Sequence, residues 1–372
     1  MIQKPKFQRR NMKEKVFWES IDMIVNRYFK KRKKVGGVWI KIKAFILLLF
    51  ISTLYLSIVN YGEAMGFSVI FLYFFLGIFL TSYSMNVMHE GSHRTFSSNK
   101  WLNKLAASSN IFIVGGNPKN WDVEHNMLHH PFTNIVGVDD DISSGNAVLR
   151  FTKYIEMKFL HRFQKYPVYI FMIYSLLTLN WFFATDIVQT KRYLAYQKTG
   201  LIRGYYTNKY TAGSLVILYK LIALTIWIAI PILVGIPVKI TIVSFFFMHL
   251  VMGTILAHIF QPAHINEYAL EFKNSSDLST KMHQLRTSID YGIKNRFLTE
   301  FSGGLNYQKA HHIFPNITHQ HYGVLTRIIK IKYAEFYKDN PYPEFESLMK
   351  AIAGNYSYLK ENSISTKELL TT

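Results

Sequence analysis

The sequence predicts an all-α membrane protein: four transmembrane helices in two hairpins, with a cytosolic helical cap that holds a dinuclear metal site. Three observations predict it. Charge is nearly absent from several windows of about 20 residues, the length that crosses a bilayer core as a helix. The 14 histidines gather in short clusters beside those windows instead of spreading along the 372 residues. Lys and Arg outnumber Asp and Glu by 43 to 23, and a run of that excess, Lys30, Lys31, Arg32, Lys33 and Lys34, precedes the first apolar span. The net charge of +20 fits an anionic membrane surface or nucleic acid. The apolar spans favour the membrane, and no nucleic-acid-binding signature accompanies the charge. Cysteine is absent, which excludes disulfides, thiolate zinc sites, cysteine-ligated iron–sulfur clusters and a cysteine nucleophile. Any metal is therefore held by nitrogen or oxygen.

Residues 1–43 read as a basic, solvated cytosolic arm. No small-residue cleavage site follows the first apolar run, so the arm is not a secretory signal. The first span covers about 44–61 and the second 65–88. The second carries no charged residue, and at ~1.5 Å per residue it reaches roughly 36 Å. Two more spans follow at about 212–235 and 238–260, joined tightly by Ile236 and Pro237. The Lys-rich leader and the neutral 60–66 turn place the N-terminus in the cytoplasm by the positive-inside rule. Two hairpins return the C-terminus and the histidine clusters to the same side.

Segments 101–116 and 167–185 are expected to lie in the interface, with Trp181, Phe182 and Phe183 at headgroup level. A fifth crossing at 167–185 would separate histidines that the spacing argument places in one site. The domain expectation is the 1–43 arm, a central 44–325 domain and a 326–372 cytosolic tail, frayed over its last 30 residues.

Spacing gives the histidines their chemistry. On a helix, residues i and i+4 share a face. His89 and His93, in HEGSH, can therefore bind one ion or two adjacent ions, and so can His125 and His129 in HNMLHH. His130 should point about 100° away from that face, toward a second ion. His311 and His312 stand in QKAHH, and His264 follows the fourth span. Seven box imidazoles, with His264 and Gln308 beside them, exceed the shell of one ion and suit two. Imidazole-rich sites favour iron, zinc, copper or nickel. HEGSH alone is also the zinc-protease signature, with Glu90 as general base. A zinc peptidase needs one three-ligand ion and no further histidine clusters, so the full set argues against it. His249 and His258 lie inside the fourth span, while His161, His319 and His321 fall outside the boxes.

HEGSH, HNMLHH and GGLNYQKAHHIFPNITH together resemble the three histidine boxes of the integral-membrane fatty acid desaturases. The third box begins with Gln308, as in the acyl-lipid and front-end branch. WDVEHNMLHHPFTNIVGVDDDI and FQPAH resemble the same branch, and the likeness runs from about 60 to 325. The resemblance implies a di-iron centre ligated by His89, His93, His125, His129, His130, His311 and His312. His264 would match the family's isolated ligand after the last span, and Gln308 would ligate directly or through water. It implies an oxygen-dependent desaturase acting on a fatty acyl chain carried by lipid, coenzyme A or carrier protein, with dioxygen as co-substrate. The His-Pro-Gly-Gly signature of fused haem donor domains is absent, so electrons should come from a separate ferredoxin or cytochrome b5 type protein and its reductase.

The chemistry fits the residues. Hydrogen removal from an unactivated methylene needs a metal and dioxygen, because no side chain supplies such an oxidant. Trp121, four residues before His125, should share its face or serve packing. Asn117, Asn120 and Asp122 are candidates for a headgroup or for imidazole N–H groups. Asp139, Asp140 and Asp141 are candidates to orient ligand imidazoles, and Glu90, His283 and Asn306 complete the set. The rival readings are a lipid or alkane hydroxylase with the same site, and a membrane metal transporter. A transporter would need ligands near the bilayer midplane, whereas these boxes sit past the span ends.

Overall fold

The computed structural model describes residues 4–143, 147–202, 204, 206 and 208–364. The chain is mostly helical. Its described strands are two-residue pieces, Asp290–Tyr291 and Glu344–Phe345, paired in parallel. It divides into two compact units interleaved in sequence. Gly37–Val123 and Phe171–Ala257 form the first, and the described parts of Gln3–Gly36, Glu124–Ile170 and His258–Thr372 form the second.

The first unit contains the apolar helices. Val38–Ser92, Lys209–Leu233 and Val238–His264 are each long and apolar enough to cross a membrane. Val38–Ser92 folds back on itself at Gly66, which takes a positive φ of 54° that suits glycine. Phe50 and Phe79 consequently stack with ring centroids 4.7 Å apart. In one straight helix they would stand about 43 Å apart. The outer faces are apolar and open, with Phe45, Leu48, Leu49, Phe71, Ile217 and Leu221 all exposed. A patch of that kind calls for lipid or protein, not water.

Within the Lys209–Leu233 stretch, Thr225–Ala229 forms a π-helical turn, which loosens the regular carbonyl ladder. The freed carbonyls find local donors. The Tyr55 hydroxyl donates to Ile226 O at 2.8 Å, and the Tyr73 hydroxyl to Trp227 O at 3.2 Å. Satisfying backbone groups internally is the condition for crossing a membrane.

Pro167–Ser175 and Leu177–Lys198 form a bent pair with a 41° angle between them, either a broken span or a re-entrant segment. Its part in this unit runs antiparallel along the Val238–His264 helix. A Cβ at Gly253 would stand 2.2 Å from Ser175 O, the Thr178 hydroxyl donates to His249 O at 2.7 Å, and Phe182 packs edge-on to Phe245 at 5.3 Å. Phe182 thus sits against the middle of that helix, and only Phe183 of the pair is exposed. Thr178 and Phe182 fall on one helical face, and that face has a partner.

Lys220 and Asp186 form a buried ion pair at 2.8 Å. Lys220 also donates to Trp181 O at 3.1 Å, and Asp186 accepts from the Asn117 N–H and the Asn120 amide at 3.2 Å. Three separate stretches of chain meet at this pair.

In the second unit, the leader is not the solvated arm expected from its charge. Met12–Phe29 is a helix whose Phe17, Trp18, Ile21, Val25 and Phe29 are buried in a core with Leu325, Ile329 and Tyr333. The spacing of those five residues is an amphipathic stripe beneath a charged exterior. The tail likewise departs from expectation. Leu348–Glu361 is a helix that buries Ala351, Asn355 and Leu359, while the expected fraying of 365–372 lies outside the described residues.

Replacing Lys220 with Met leaves the Asp186 carboxylate buried without its cation and should lower stability by about 3–5 kcal/mol. The double variant Lys220→Met with Asp186→Asn should recover part of that loss. Thermal unfolding in detergent measures both; an unchanged midpoint for the single variant would show that the pair is dispensable.

Candidate metal centre

In the first unit, Val69–Tyr83 passes through a π-helical turn, Ser84–Met88, into His89–Ser92. The His89 and His93 rings lie 4.7 Å apart, so the expected i, i+4 pairing is present. Both are buried. Glu90 is also buried, and its Oε2 accepts from the Thr95 hydroxyl at 2.6 Å.

The second unit contains the histidines of the other two boxes, together with His264. Val123–His129 is a π-helical stretch, and this changes the register expected for the second box. A π turn aligns i with i+5. His125 and His130 therefore converge, with Nε2 atoms 3.3 Å apart and ring centroids 4.7 Å apart. His125 and His129 are more distant, at 5.7 Å. His130 does not point away from His125, as a regular helix would require.

Two triads of imidazoles have ligand atoms that all lie within 4.8 Å of one another: His129 with His264 and His312, and His130 with His311 and His312. His312 belongs to both. In four of these rings the Nδ1 side is bonded outward, which leaves Nε2 as the atom offered to the centre. His129 Nδ1 reaches Asp139 Oδ1 and Asp141 Oδ2, both at 3.1 Å. His264 Nδ1 meets Thr287 O at 3.1 Å, His311 Nδ1 meets the Tyr322 hydroxyl at 3.1 Å, and His312 Nδ1 meets the Thr133 hydroxyl at 3.3 Å. Such outer partners fix the tautomer and ring orientation of metal-binding histidines. The donor set is nitrogen-rich, buried and without thiolate, which suits a transition metal.

The carboxylates set the local electrostatics. Burial presses the His129 pKa down, but Asp141 and Asp139 outweigh it and raise it to about 9. Burial likewise opposes ionisation of Asp139, and His129 overcomes it, so that carboxylate is lowered. Asp141 is pushed up to about 6 by burial, against the pull of His129. Asp140 is buried at the start of the Asp140–Ser143 turn.

Gln308 is buried at the start of the Gln308–Ile313 helix that carries His311 and His312. Its carboxamide lies near enough to His264 to act on that ring, without meeting hydrogen-bond geometry. Asp290 holds the same helix end by accepting the Lys309 N–H at 2.9 Å.

Other candidates fall elsewhere. Asn117 caps Pro118–Asp122, and Asn120 donates to Asp186 O at 3.0 Å, so both serve the Lys220 network. Trp121 packs against Trp181 with tilted rings 5.0 Å apart. Asp122, the last residue of Pro118–Asp122, is half-buried. Asn306 donates to the Thr299 hydroxyl at 3.0 Å. His283 Nε2 donates to Thr133 O at 2.8 Å, and burial lowers its pKa to about 4. His249 bonds Thr178 at 3.2 Å and His258 bonds the Tyr356 hydroxyl at 2.8 Å. His161 is buried and accepts the Lys158 N–H at 2.9 Å, while His321 bonds the Tyr28 hydroxyl at 3.0 Å and His319 is buried.

Sequence reasoning missed Thr133, Asn134 and Tyr322. Asn134 takes a positive φ of 58°, and its amide donates to His264 O at 2.9 Å and Leu270 O at 3.0 Å. Asparagine tolerates that backbone region, which is the one local signal in the sequence.

The pH dependence follows with a definite sign. The folded pKa of His129 is raised above 6.5 to about 9, so its contribution to the stability of the metal-free protein is complete below pH 6.5 and is lost as pH rises through 9. A metal must displace that proton, so metal affinity should climb between about pH 7 and 9. Asp139→Asn should weaken binding roughly 10–100-fold and move the climb to lower pH. Chelator-competition titrations with zinc across this range check both; an affinity flat with pH would contradict the assignment.

A family model described as fatty acid desaturase matches residues 65–340. Among curated relatives, the sn-1 linoleoyl-lipid 6-desaturase of Synechocystis sp. is 32% identical, covering 77% of this chain and 78% of its own length. The enzyme of the same name from Arthrospira platensis is 28% identical over 78% of this chain and 77% of its own. The acyl-lipid (8-3)-desaturase of Physcomitrium patens is 26% identical over 93% of this chain and 71% of its own. The chain belongs to the fatty acid desaturase family, and it is an oxidoreductase that desaturates fatty acyl chains.

Proposed function

We propose that the chain is an acyl-lipid desaturase working through a dinuclear iron centre. The ligands in this reading are His89, His93, His125, His129, His130, His264, His311 and His312, with Gln308 beside them. The observation that carries it is the pair of buried triads sharing His312, with four Nδ1 atoms tied outward. His89 and His93 join on the strength of their own i, i+4 pairing and of the resemblance of HEGSH to the family's first box. Iron is favoured over other imidazole-binding metals by the reaction, which needs dioxygen. When bound, the two irons with dioxygen would supply the oxidant that removes hydrogen from an unactivated methylene.

The chain's own residues do the rest. Asp139 and Asp141 keep a proton at His129 Nδ1, so Nε2 is the nitrogen that a metal takes once it displaces the proton there. Thr287, Tyr322 and Thr133 hold His264, His311 and His312 in the same sense. Gln308 offers a neutral carboxamide, a weaker ligand than imidazole, which leaves that side of the centre less filled. The absence of cysteine is consistent with a site that generates a strong oxidant.

The wider reading is four spans in two hairpins, with both termini and the metal centre in the cytoplasm. The Lys30–Lys34 run and the apolar exposed helices support it. Residues 44–325 contain every proposed ligand, followed by the 326–372 tail. In this reading electrons come from a ferredoxin or cytochrome b5 type protein and its reductase. The names of the relatives, which specify linoleoyl-lipid and acyl-lipid, support a lipid-linked acyl substrate.

Expression in a host lacking such enzymes, followed by mass spectrometry of its lipids, should reveal a new double bond in glycerolipid acyl chains. An alcohol in its place assigns the hydroxylase instead. His312→Ala should deplete metal more severely than His264→Ala, because His312 serves both triads. Equal depletion would mean that the triads do not correspond to two ions.

A further inference from the structure

The element Phe159–Lys165 is built inside out. It is a tight 3₁₀ turn that buries His161 and Gln164 and exposes its apolar residues, together with the charged Arg162 and Lys165. Phe159 is 70% exposed and Leu160 and Phe163 are each 39% exposed. Beyond them Tyr166 is 53% exposed and Val168 68%. A helix on a watered surface does the opposite.

The inversion is fixed by hydrogen bonds, not by chance packing. Gln164 accepts the Arg150 N–H at 2.8 Å, and its amide donates to Arg150 O at 3.2 Å and Leu359 O at 2.5 Å. His161 Nδ1 accepts the Lys158 N–H at 2.9 Å. These inward bonds set the register and aim Phe159, Leu160 and Phe163 outward. The rings are ordered among themselves: Phe159 and Phe163 meet edge-on at 5.7 Å, and Phe163 lies 5.9 Å from Tyr169.

Charge identifies the partner. Lys158, Arg162 and Lys165 are exposed between the aromatic residues, and no Asp or Glu occurs from 157 to 185. Lys165 stands over the Tyr166 ring at 5.0 Å, an amphipathic pairing suited to the headgroup layer. The chain then runs directly into the apolar helix Pro167–Ser175.

We infer that Phe159–Tyr166 is a membrane-docking element, which inserts its apolar side into the acyl boundary and binds anionic phospholipid headgroups through Arg162 and Lys165. This rests on the reading of the chain as membrane-embedded. A protein partner with an acidic surface is the competing occupant.

The cysteine-free chain allows single-site spin labelling without background. Leu160→Cys, Leu48→Cys and Lys350→Cys would be labelled in the full-length protein and reconstituted into nanodiscs. One set contains phosphatidylcholine alone, the other phosphatidylcholine with phosphatidylglycerol. Collisional accessibility to oxygen and to a water-soluble nickel complex is read by electron paramagnetic resonance. Leu48 lies on the exposed face of Val38–Met65, and Lys350 is an exposed polar site. The label at 160 should resemble that at 48 and differ from that at 350. Phosphatidylglycerol should drive it deeper, and adding Arg162→Gln and Lys165→Gln should abolish that gain. A water-like label at 160 beside a lipid-like label at 48 overturns this element alone, as does a depth indifferent to phosphatidylglycerol. A water-like label at 48 overturns the membrane reading and this one with it.

Discussion

Asp139 is a fully buried carboxylate, and the second unit is arranged around keeping it charged. It accepts from His129 Nδ1, from the Asn134 N–H at 2.7 Å and from the Asp141 N–H at 3.1 Å. A buried charge is tolerable only when it is paired and hydrogen-bonded in this way. The same bonds tie the chain after the second box back onto His129. Asn134 then carries the constraint further, because its side chain holds the backbone at His264 and Leu270. Residues 130 positions apart in sequence are thereby brought into one cluster. Thr133 extends it to His312 and, through its carbonyl, to His283.

The π-helical turns are the second device. One precedes His89 and another, Val123–His129, runs through most of the second box. In the second box it converts an i, i+4 pattern into an i, i+5 one, so that His125 and His130 face each other. In the apolar helices the turn at Thr225–Ala229 has a different consequence, freeing carbonyls that Tyr55 and Tyr73 occupy. A loosened turn widens the choice of side chains that can meet, at the expense of regular backbone bonding, and nearby donors make up the loss.

Much of this was legible in the residues. The spans could be read because hydropathy and length alone decide whether a helix can cross a bilayer, although the turn expected over 60–66 narrows to Gly66, because the first helix runs on to Met65. The box histidines could be read because metal ligation demands imidazoles at helical spacing. The register of the second box could not, since nothing in HNMLHH distinguishes a π turn from an α turn. The Met12–Phe29 helix was obscured by its charge: Lys and Arg dominate the leader, and the stripe from Phe17 to Phe29 shows only at helical period. Leu348–Glu361 was hidden because it buries only Ala351, Asn355 and Leu359, one of them polar, which leaves a weak apolar stripe. Asn117 and Asn120 looked like ligand-site residues by proximity to His125, yet their partner, Asp186, lies more than 60 positions later. Non-local hydrogen bonds of that kind leave no periodic trace.

The central claim is that two ions, and specifically iron, occupy the clustered imidazoles. Metal analysis of purified, active protein tests it most directly, with turnover measured on the same preparations across a range of metal loading. The account predicts two irons per chain and turnover that rises with iron content. Full activity with a single ion per chain, or with zinc alone, would contradict it.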